Sequence, residues 1–494
     1  MLRPSREGFV TSARPGDLVP VYREILADRL TPVSAFEKLA GGAGSFLLES
    51  VEGGERLARY SFLGSLPFLT FRASGSRVWV EHADGRQQEV VATGGADALA
   101  ALRSLLRGYR FVETPGLPRF CGGAVGYVAY DMVRQFESLP ETARDDLHLP
   151  DCVFFLTDTL LIFDHVRHRI MVLSNARVGD RPADDYDRAA AAIDTLVERL
   201  RQPAPLVEAQ APVTDEIAPS PNVPPSEFER WVLRCKEYIA AGDAFQVVPS
   251  VRFSARLRTS PFEVYRALRF LNPSPYMYFL DLGDAQIVGS SPEILATVED
   301  GTVSVRPIAG TRPRGATEAE DRLLEQELLA DEKERAEHIM LVDLGRNDVG
   351  RVAEYGTVRV DDLMVVERYS HVMHIVSHVS GRLAEGRDVF DAFRACFPAG
   401  TLTGAPKVRA MEIIEEIEPS RRGLYGGAVG YFSYSGDMDF AIAIRTMLVR
   451  DGMAYVQAGA GVVADSQPEL EYREVTNKAR ALFAAVKMAE AGLD

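Results

Sequence analysis

Two stretches of the sequence set pairs of carboxylates at helical spacing. KERAEH (Lys333 to His338) places Glu334 and Glu337 three residues apart, and EYREVTNKA near the C-terminus does the same with Glu471 and Glu474, followed by Lys478. Positions three and four apart share one face of a helix, so each pair points in one direction. Taken singly, such a pair is the ordinary composition of a solvated helix, because Glu is a strong helix former. If the two helices face each other, four carboxylates in a dry cleft repel unless a cation neutralises them. Oxygen-only ligands with no nearby Cys suit a hard divalent ion. Mg²⁺, which keeps waters and takes one or two carboxylates together with an anionic substrate, is the expected one.

Other segments carry more polar detail than a core demands. FPAGTLTGAPK (Phe397 to Lys407) puts two glycines, two threonines and a lysine before an amphipathic helix. Amides and hydroxyls at a helix start suit an oxyanion, although a plain loop opening a helix reads the same way. AGAGVV (Ala458 to Val463) offers backbone amides, and RPIAGTRPRG (Arg306 to Gly315) gives a Gly-Thr turn flanked by three arginines. Arg445 is expected inside the apolar strand AIAIRTML, turned inward, where a guanidinium wants a carboxylate from the protein or a ligand. HVMHIVSHV contributes His371, His374 and His378. With no second ligand cluster it reads as a strand holding an acid–base histidine rather than as a zinc site.

The elements that must position these groups follow from periodicity. SFLLES, RYSFLG, FLTFRA and RVWVEH read as strands, ALAALRSLLRGY and residues 184–200 as helices, and CVFFLTDTLLIF as a buried strand. Residues 226–243 form an amphipathic helix for which Gly242 suits the C-terminal cap. YMYFLDLGDAQIVGSSP and AVGYFSYSGDMDFAIAIRTMLV read as antiparallel pairs, the second turning at Ser435-Gly436-Asp437. Ser466 with Glu469 reads as a capping box, and Pro468 fits the first turn of the last helix. GGAVGY occurs twice, at Gly122 and at Gly426. It is read as two Gly-rich strand starts rather than as a duplication. The fold class expected is α+β: large, mostly antiparallel sheets packed as a sandwich with helices outside. A Pro/Ala-rich linker at 201–226 divides an N-terminal domain (1–200) from a catalytic domain (227–494).

Composition narrows the class of ligand. Lys plus Arg total 55 against 71 Asp plus Glu, so 55 − 71 gives a formal charge of −16, which repels nucleic acid. Four dispersed cysteines without CxxC spacing speak against a zinc ribbon or a disulfide framework and fit a reducing cytoplasm. No segment reads as a signal peptide or a membrane span.

Taken together and in order, PIAGTRPRG, DEKERAEHIMLVDLGRND, SHVMHIVSHVSG, FPAGTLTGAPK, GGAVGYFS and EYREVTNKA closely resemble the chorismate-binding domain of the anthranilate synthase large-subunit (component I) family. Ser45 to Gly64 resembles that family's N-terminal domain. The resemblance implies a Mg²⁺-dependent lyase that adds ammonia to chorismate, displaces a ring hydroxyl, and eliminates pyruvate to give anthranilate in tryptophan biosynthesis. By motif matching, Glu337 and Glu474 ligate the metal, with Glu334 and Glu471 holding its waters. Gly310, Thr311, Tyr425, Arg445, Gly459, Ala460, Gly461 and Lys478 bind substrate. Glu293 is the general acid for the departing hydroxyl, His374 serves the elimination, and Thr401 and Gln246 complete the catalytic set. Glu49, Ser50, Pro275, Tyr276 and Met277 resemble a tryptophan feedback site.

Sister enzymes differ at single positions. Isochorismate and salicylate synthases carry a water-activating lysine where this chain has Gln246, and an amide takes no proton at neutral pH. Aminodeoxychorismate synthase commonly has PIKGT, whose lysine can add to the ring, where this chain has Ala309. The sequence also lacks a Cys-His-Glu glutaminase, which implies ammonia from a separate glutamine amidotransferase subunit in a hetero-oligomer such as a heterotetramer. Aminodeoxychorismate synthase and a catalytically silent tryptophan or anion sensor on the same fold are the competing readings.

Overall fold

A computed structural model describes the chain apart from residues 41, 51–58, 91–96, 205–216, 370–371 and 494. Two sheets of thirteen and twelve strands pack face to face with helices outside, and among the described residues every pairing between named strands except one short parallel contact of Asp17–Leu26 with Arg110–Phe111 is antiparallel. Between the sheets lie Phe120, Tyr127, Leu160, Ile287 and Leu448. A second core seals the helices onto the larger sheet, and a third closes the outer face of the smaller one.

Both sheets are centred on a seam between the two halves of the chain. In the larger, Phe46–Glu49 pairs with Tyr276–Asp281, and in the smaller, Gly123–Val128 pairs with Ala428–Ser433. Strand order then repeats outward on either side. Tyr60–Gly64, Thr159–Asp164, Arg169–Arg177 and Asp17–Leu26 are mirrored by Gln286–Ser291, Thr446–Arg450, Met453–Gly459 and Ser250–Arg256. Pro182–Arg201 and Pro468–Ala491 are the helices that follow matching strands.

The GGAVGY echo is therefore the visible trace of a two-fold repeat, contrary to the reading as unrelated strand starts. Gly126 and Gly430 sit opposite each other across the seam. A Cβ there would lie 1.9 Å from the Val153 carbonyl oxygen or 2.0 Å from that of Asp439, so both positions require glycine. Six identical residues were too few to reveal the repeat because topology, not side chains, carries it.

The halves differ in one long insertion. Residues 306–427, between Thr302–Val305 and Ala428–Ser433, supply the strands Ile308–Pro313, Arg359–Arg368 and Val372–Arg382 and the helix Glu332–Gly350. The corresponding span of the first half, 83–122, includes the helix Ala98–Leu106.

Three local expectations are corrected. CVFFLTDTLLIF is two strands, Cys152–Thr157 and Thr159–Asp164, that belong to different sheets, the chain crossing layers at Asp158. AIAIRTML likewise splits, and Arg445 lies in the crossing with φ 46°, outside any strand. The last helix is capped by Gln467 without a side-chain bond, because Ser466 lies one residue too early and accepts from the Val463 amide instead. Residues 205–216 of the linker lie outside the described residues, as does His371.

Candidate active site

Two crossings between the sheets open onto one cavity of about 270 Å³. Pro292-Glu293 leads from Gln286–Ser291 into Ile294–Glu299, and Ile444-Arg445 leads from Met438–Ile442 into Thr446–Arg450. Crossing segments leave the hydrogen-bonded ladder, so their side chains can turn into the space between layers. Gln246, Gly310, Thr311, Thr401 and Tyr425 line the same cavity, together with Gly459, Gly461 and Lys478.

Glu293 is half-buried, and desolvation pushes its carboxyl upward against the Thr401 hydroxyl, which donates to it at 3.2 Å, and against the charges of Arg445 and Lys478. A carboxyl held protonated in a cavity can donate a proton. FPAGTLTGAPK, expected to cradle an oxyanion, supplies through Thr401 a donor to this acid. Its Lys407 is paired with Asp348 at 2.6 Å.

The glutamate helices do face each other. Glu332–Gly350 starts with Asp331 accepting from the amides of Lys333 and Glu334, and it presents Glu337 to the cavity opposite Glu474 of Pro468–Ala491. Burial raises the Glu337 carboxyl, repulsion from Glu334 and Glu474 raises it further, and the Gln246 side chain bonds to it. Glu474 pairs with Lys478 at 2.7 Å and Glu334 with Arg312 at 3.2 Å, while Glu471 bonds to Ser466. Among the described residues no group of three or more such side chains is already gathered around a point. The donor chemistry nevertheless fits a hard cation: the facing carboxylates are oxygen-only, Glu334 and Glu474 raise the proton affinity of Glu337, and Glu337 and Glu474 line the cavity itself.

Backbone at the end of Met453–Gly459 forms another wall. A Cβ on Gly459 would come within 2.7 Å of both the Pro249 carbonyl oxygen and the Tyr425 hydroxyl, so the close approach requires glycine, and Lys478 Nζ donates to the Gly459 carbonyl at 3.0 Å. Ala460, between the two glycines, is fully buried and does not line the cavity. His374 touches the site indirectly: its Nδ1 lies 3.0 Å from both the Gly310 carbonyl and the Thr311 hydroxyl. A carbonyl oxygen only accepts, so Nδ1 carries the proton and the lone pair is on Nε2. Burial lowers this ring's proton affinity.

The three arginines of RPIAGTRPRG are engaged by the protein rather than clustered for a ligand. Arg306 pairs with Glu367, Arg312 with Glu327, Asp331 and Glu334, and Arg314 with Asp321. Sequence reasoning missed a buried ion pair that ties down Val248 and Leu402, two residues of the cavity lining. Arg422 and Glu418 form a fully buried pair, the guanidinium donating to the carbonyls of Leu402 and Val248 and the carboxylate accepting from the Ser250 amide and hydroxyl. Their four-residue spacing was the only signal. Gln457, which lines the cavity and donates to Ser250, was also missed.

The expected feedback residues lie away from this cavity, on the seam. Glu49 stands opposite Met277 in neighbouring strands, so the two sequence segments meet. Alternation sends their side chains to two faces. Glu49 accepts from the Tyr265 hydroxyl and Arg269 on the helix side, whereas Tyr276, which follows Pro275, donates to Asp439 between the sheets at 2.8 Å. Ser50 follows Glu49 directly at the strand end.

Comparison with known proteins agrees along the whole chain. The profile of the chorismate binding enzymes matches residues 66–484. Anthranilate synthase component 1 of Acetivibrio thermocellus is 47% identical over 494 residues, covering 99% of both chains, and that of Mycolicibacterium smegmatis is 51% identical over 98% of this chain and 94% of its own. The crystal structure of anthranilate synthase component I from Streptococcus pneumoniae superposes with a TM-score of 0.78 at 40% identity, over 93% of this chain and 98% of that one. The menaquinone-specific isochorismate synthase of Escherichia coli shares the fold at 18% identity and a TM-score of 0.68, over 97% and 98%.

Proposed function

Because the chain belongs to the chorismate binding enzyme family, in the branch of anthranilate synthase component 1, we propose that it converts chorismate and ammonia to anthranilate and pyruvate in this cavity. The observation that carries the reading is the meeting of a desolvated acid, Glu293, with Arg445, Lys478 and facing carboxylates around one space of substrate size. Glu337 and Glu474 hold Mg²⁺, with Glu334 and Glu471 behind them, and the bound ion supplies charge neutralisation for the substrate carboxylates. Arg445 and Lys478 complement those carboxylates, aided by Thr311, Tyr425 and the amides around Gly459. Glu293 protonates the departing ring hydroxyl, and His374 Nε2 is the base for the elimination.

Gln246 bonds to Glu337 and lacks the basicity to activate water, which favours ammonia as nucleophile. Ala309 lines the cavity where a lysine would be a covalent catalyst, which favours anthranilate over an aminodeoxychorismate product. Ammonia comes from a glutamine amidotransferase subunit in a hetero-oligomer. Tryptophan binds at the seam near Ser50, Pro275 and Met277 and favours a less active arrangement of the halves. No helix among the described residues is long and apolar enough to cross a membrane, and a cytoplasmic location accords with this chemistry.

Purified protein with chorismate, Mg²⁺ and ammonium at alkaline pH is expected to develop anthranilate fluorescence. A non-aromatic amino product would support the aminodeoxychorismate reading, and absence of any product the silent sensor. A Ser50→Phe variant is expected to lose tryptophan inhibition while keeping turnover.

A further inference from the structure

A second cavity, of about 60 Å³, lies behind Glu293, and the two cavities share Glu293, Ile308, Leu341 and Thr401 as walls. Apart from Arg306 and Asp348, its remaining lining is largely apolar, with Val305, Leu344, Gly345 and Ile442. Asp348 is 6% exposed. One of its oxygens accepts from Lys407 Nζ at 2.6 Å, while Oδ1 is buried without a hydrogen-bond partner in the protein. Lys407 donates in addition to the Cys396 carbonyl at 3.2 Å. Both charged residues come from motifs, LGRND and TGAPK, for which the substrate cavity has no use.

A pair that merely tied two helices together would be expected to satisfy both carboxylate oxygens, since an orphaned buried acceptor is destabilising. Here the orphan belongs to a residue that lines a space large enough for a few waters, at roughly 10–15 Å³ each. The other groups around the passage do not compete for a proton. The Cys396 thiol is pushed up to about 12 by burial, the Arg351 charge acts on Asp348, Arg306 is paired with Glu367, and Arg445 and Lys478 face Glu293 from the substrate side.

We propose that this cavity is the proton and water passage of the acid Glu293, with Asp348 and Lys407 as its relay. The proposal rests on the reaction assigned above. As the carbon–nitrogen bond forms and the ring carbon–oxygen bond breaks, the Glu293 proton goes to the departing hydroxyl, which becomes water. The resulting carboxylate regains a proton through intervening waters from the Asp348–Lys407 pair, which solvent recharges. The nitrogen sheds one proton on the substrate side, so the cycle is neutral overall. The water formed leaves through the passage without crossing the substrate.

Asp348→Asn and Lys407→Gln are expected to lower kcat by about tenfold with the KM for chorismate unchanged. They are also expected to raise the solvent deuterium isotope effect on kcat and to recover part of the rate with added formic or acetic acid. Rates are expressed per folded site counted by chorismate titration. Gly345→Ala, whose methyl would lie 2.9 Å from Val305 Cγ2 and narrows the passage without changing charge, is expected to give the same signature at smaller size. A kcat within twofold of wild type, or a loss that responds neither to deuterium nor to added acid, would overturn the relay. Wild-type anthranilate formation in the same assay tests the assigned reaction separately.

Discussion

The two halves of the chain cross between the sheets at matching places and use those crossings for opposite ends. In the second half the crossings carry Glu293 and Arg445 and surround a cavity. In the first half they carry residues 65–68 and Asp158, and the space is packed. Arg177 lies 3.7 Å over the Phe68 ring and 4.8 Å over Tyr109, which meets Tyr434 edge-to-face at 5.4 Å. Burial raises the Asp158 carboxyl and Arg177 opposes that shift, so charge is balanced internally with no ligand needed. One scaffold thus carries half-buried side chains that answer one another in one copy and a site in the other. The difference is made by the 306–427 insertion, which brings Glu337, Thr311 and Thr401 over the second crossing, where the first half has rings.

Substitution can break this contrast. Glu337→Gln is expected to cost turnover on the order of 10³-fold while the protein stays folded, because several kcal/mol of metal-borne stabilisation is lost. Asp158→Asn at the first-half crossing is expected to leave kcat within about twofold, and an equal loss in anthranilate fluorescence assays would erase the distinction between halves. Glu293→Gln is expected to cost about 10²-fold in kcat with little change in KM. Its raised proton affinity makes the acid the working form, so at fixed unprotonated ammonia the wild-type rate falls as pH rises through that group's folded pKa, and the variant lacks this limb.

The seam offers a test of stability rather than of rate. Burial raises Asp439 from 3.8 to about 6, so its contribution to stability is full below 3.8 and is lost as pH rises through about 6. Asp439→Asn is therefore expected to gain on wild type in urea midpoint between pH 4 and 7, and a constant difference would refute the assignment. The smallest effect expected is that of Arg177→Ala, about 1 kcal/mol of stability from lost ring contacts with unchanged kcat. A change in the KM for chorismate would show that the packed half reaches the site.

The sequence by itself determined the elements and most of the chemistry. Helical spacing put Glu334 with Glu337 and Glu471 with Glu474 on common faces, alternation marked the strands, and the ordered motifs pointed to Glu293, Glu337, Glu474, Arg445 and Lys478, which line one cavity. These signals are local, because side-chain period is set by backbone geometry over a few residues. Tertiary structure alone decided the rest. It showed that the GGAVGY segments pair across a seam, that Arg445 sits in a crossing rather than a strand, that Arg306, Arg312 and Arg314 answer to protein carboxylates, and that Arg422–Glu418 is a buried pair holding Val248 and Leu402 of the lining. Each of these is a pairing between segments remote in the chain. No periodicity records such a partner, since the free energy that selects it comes from desolvating two distant surfaces at once.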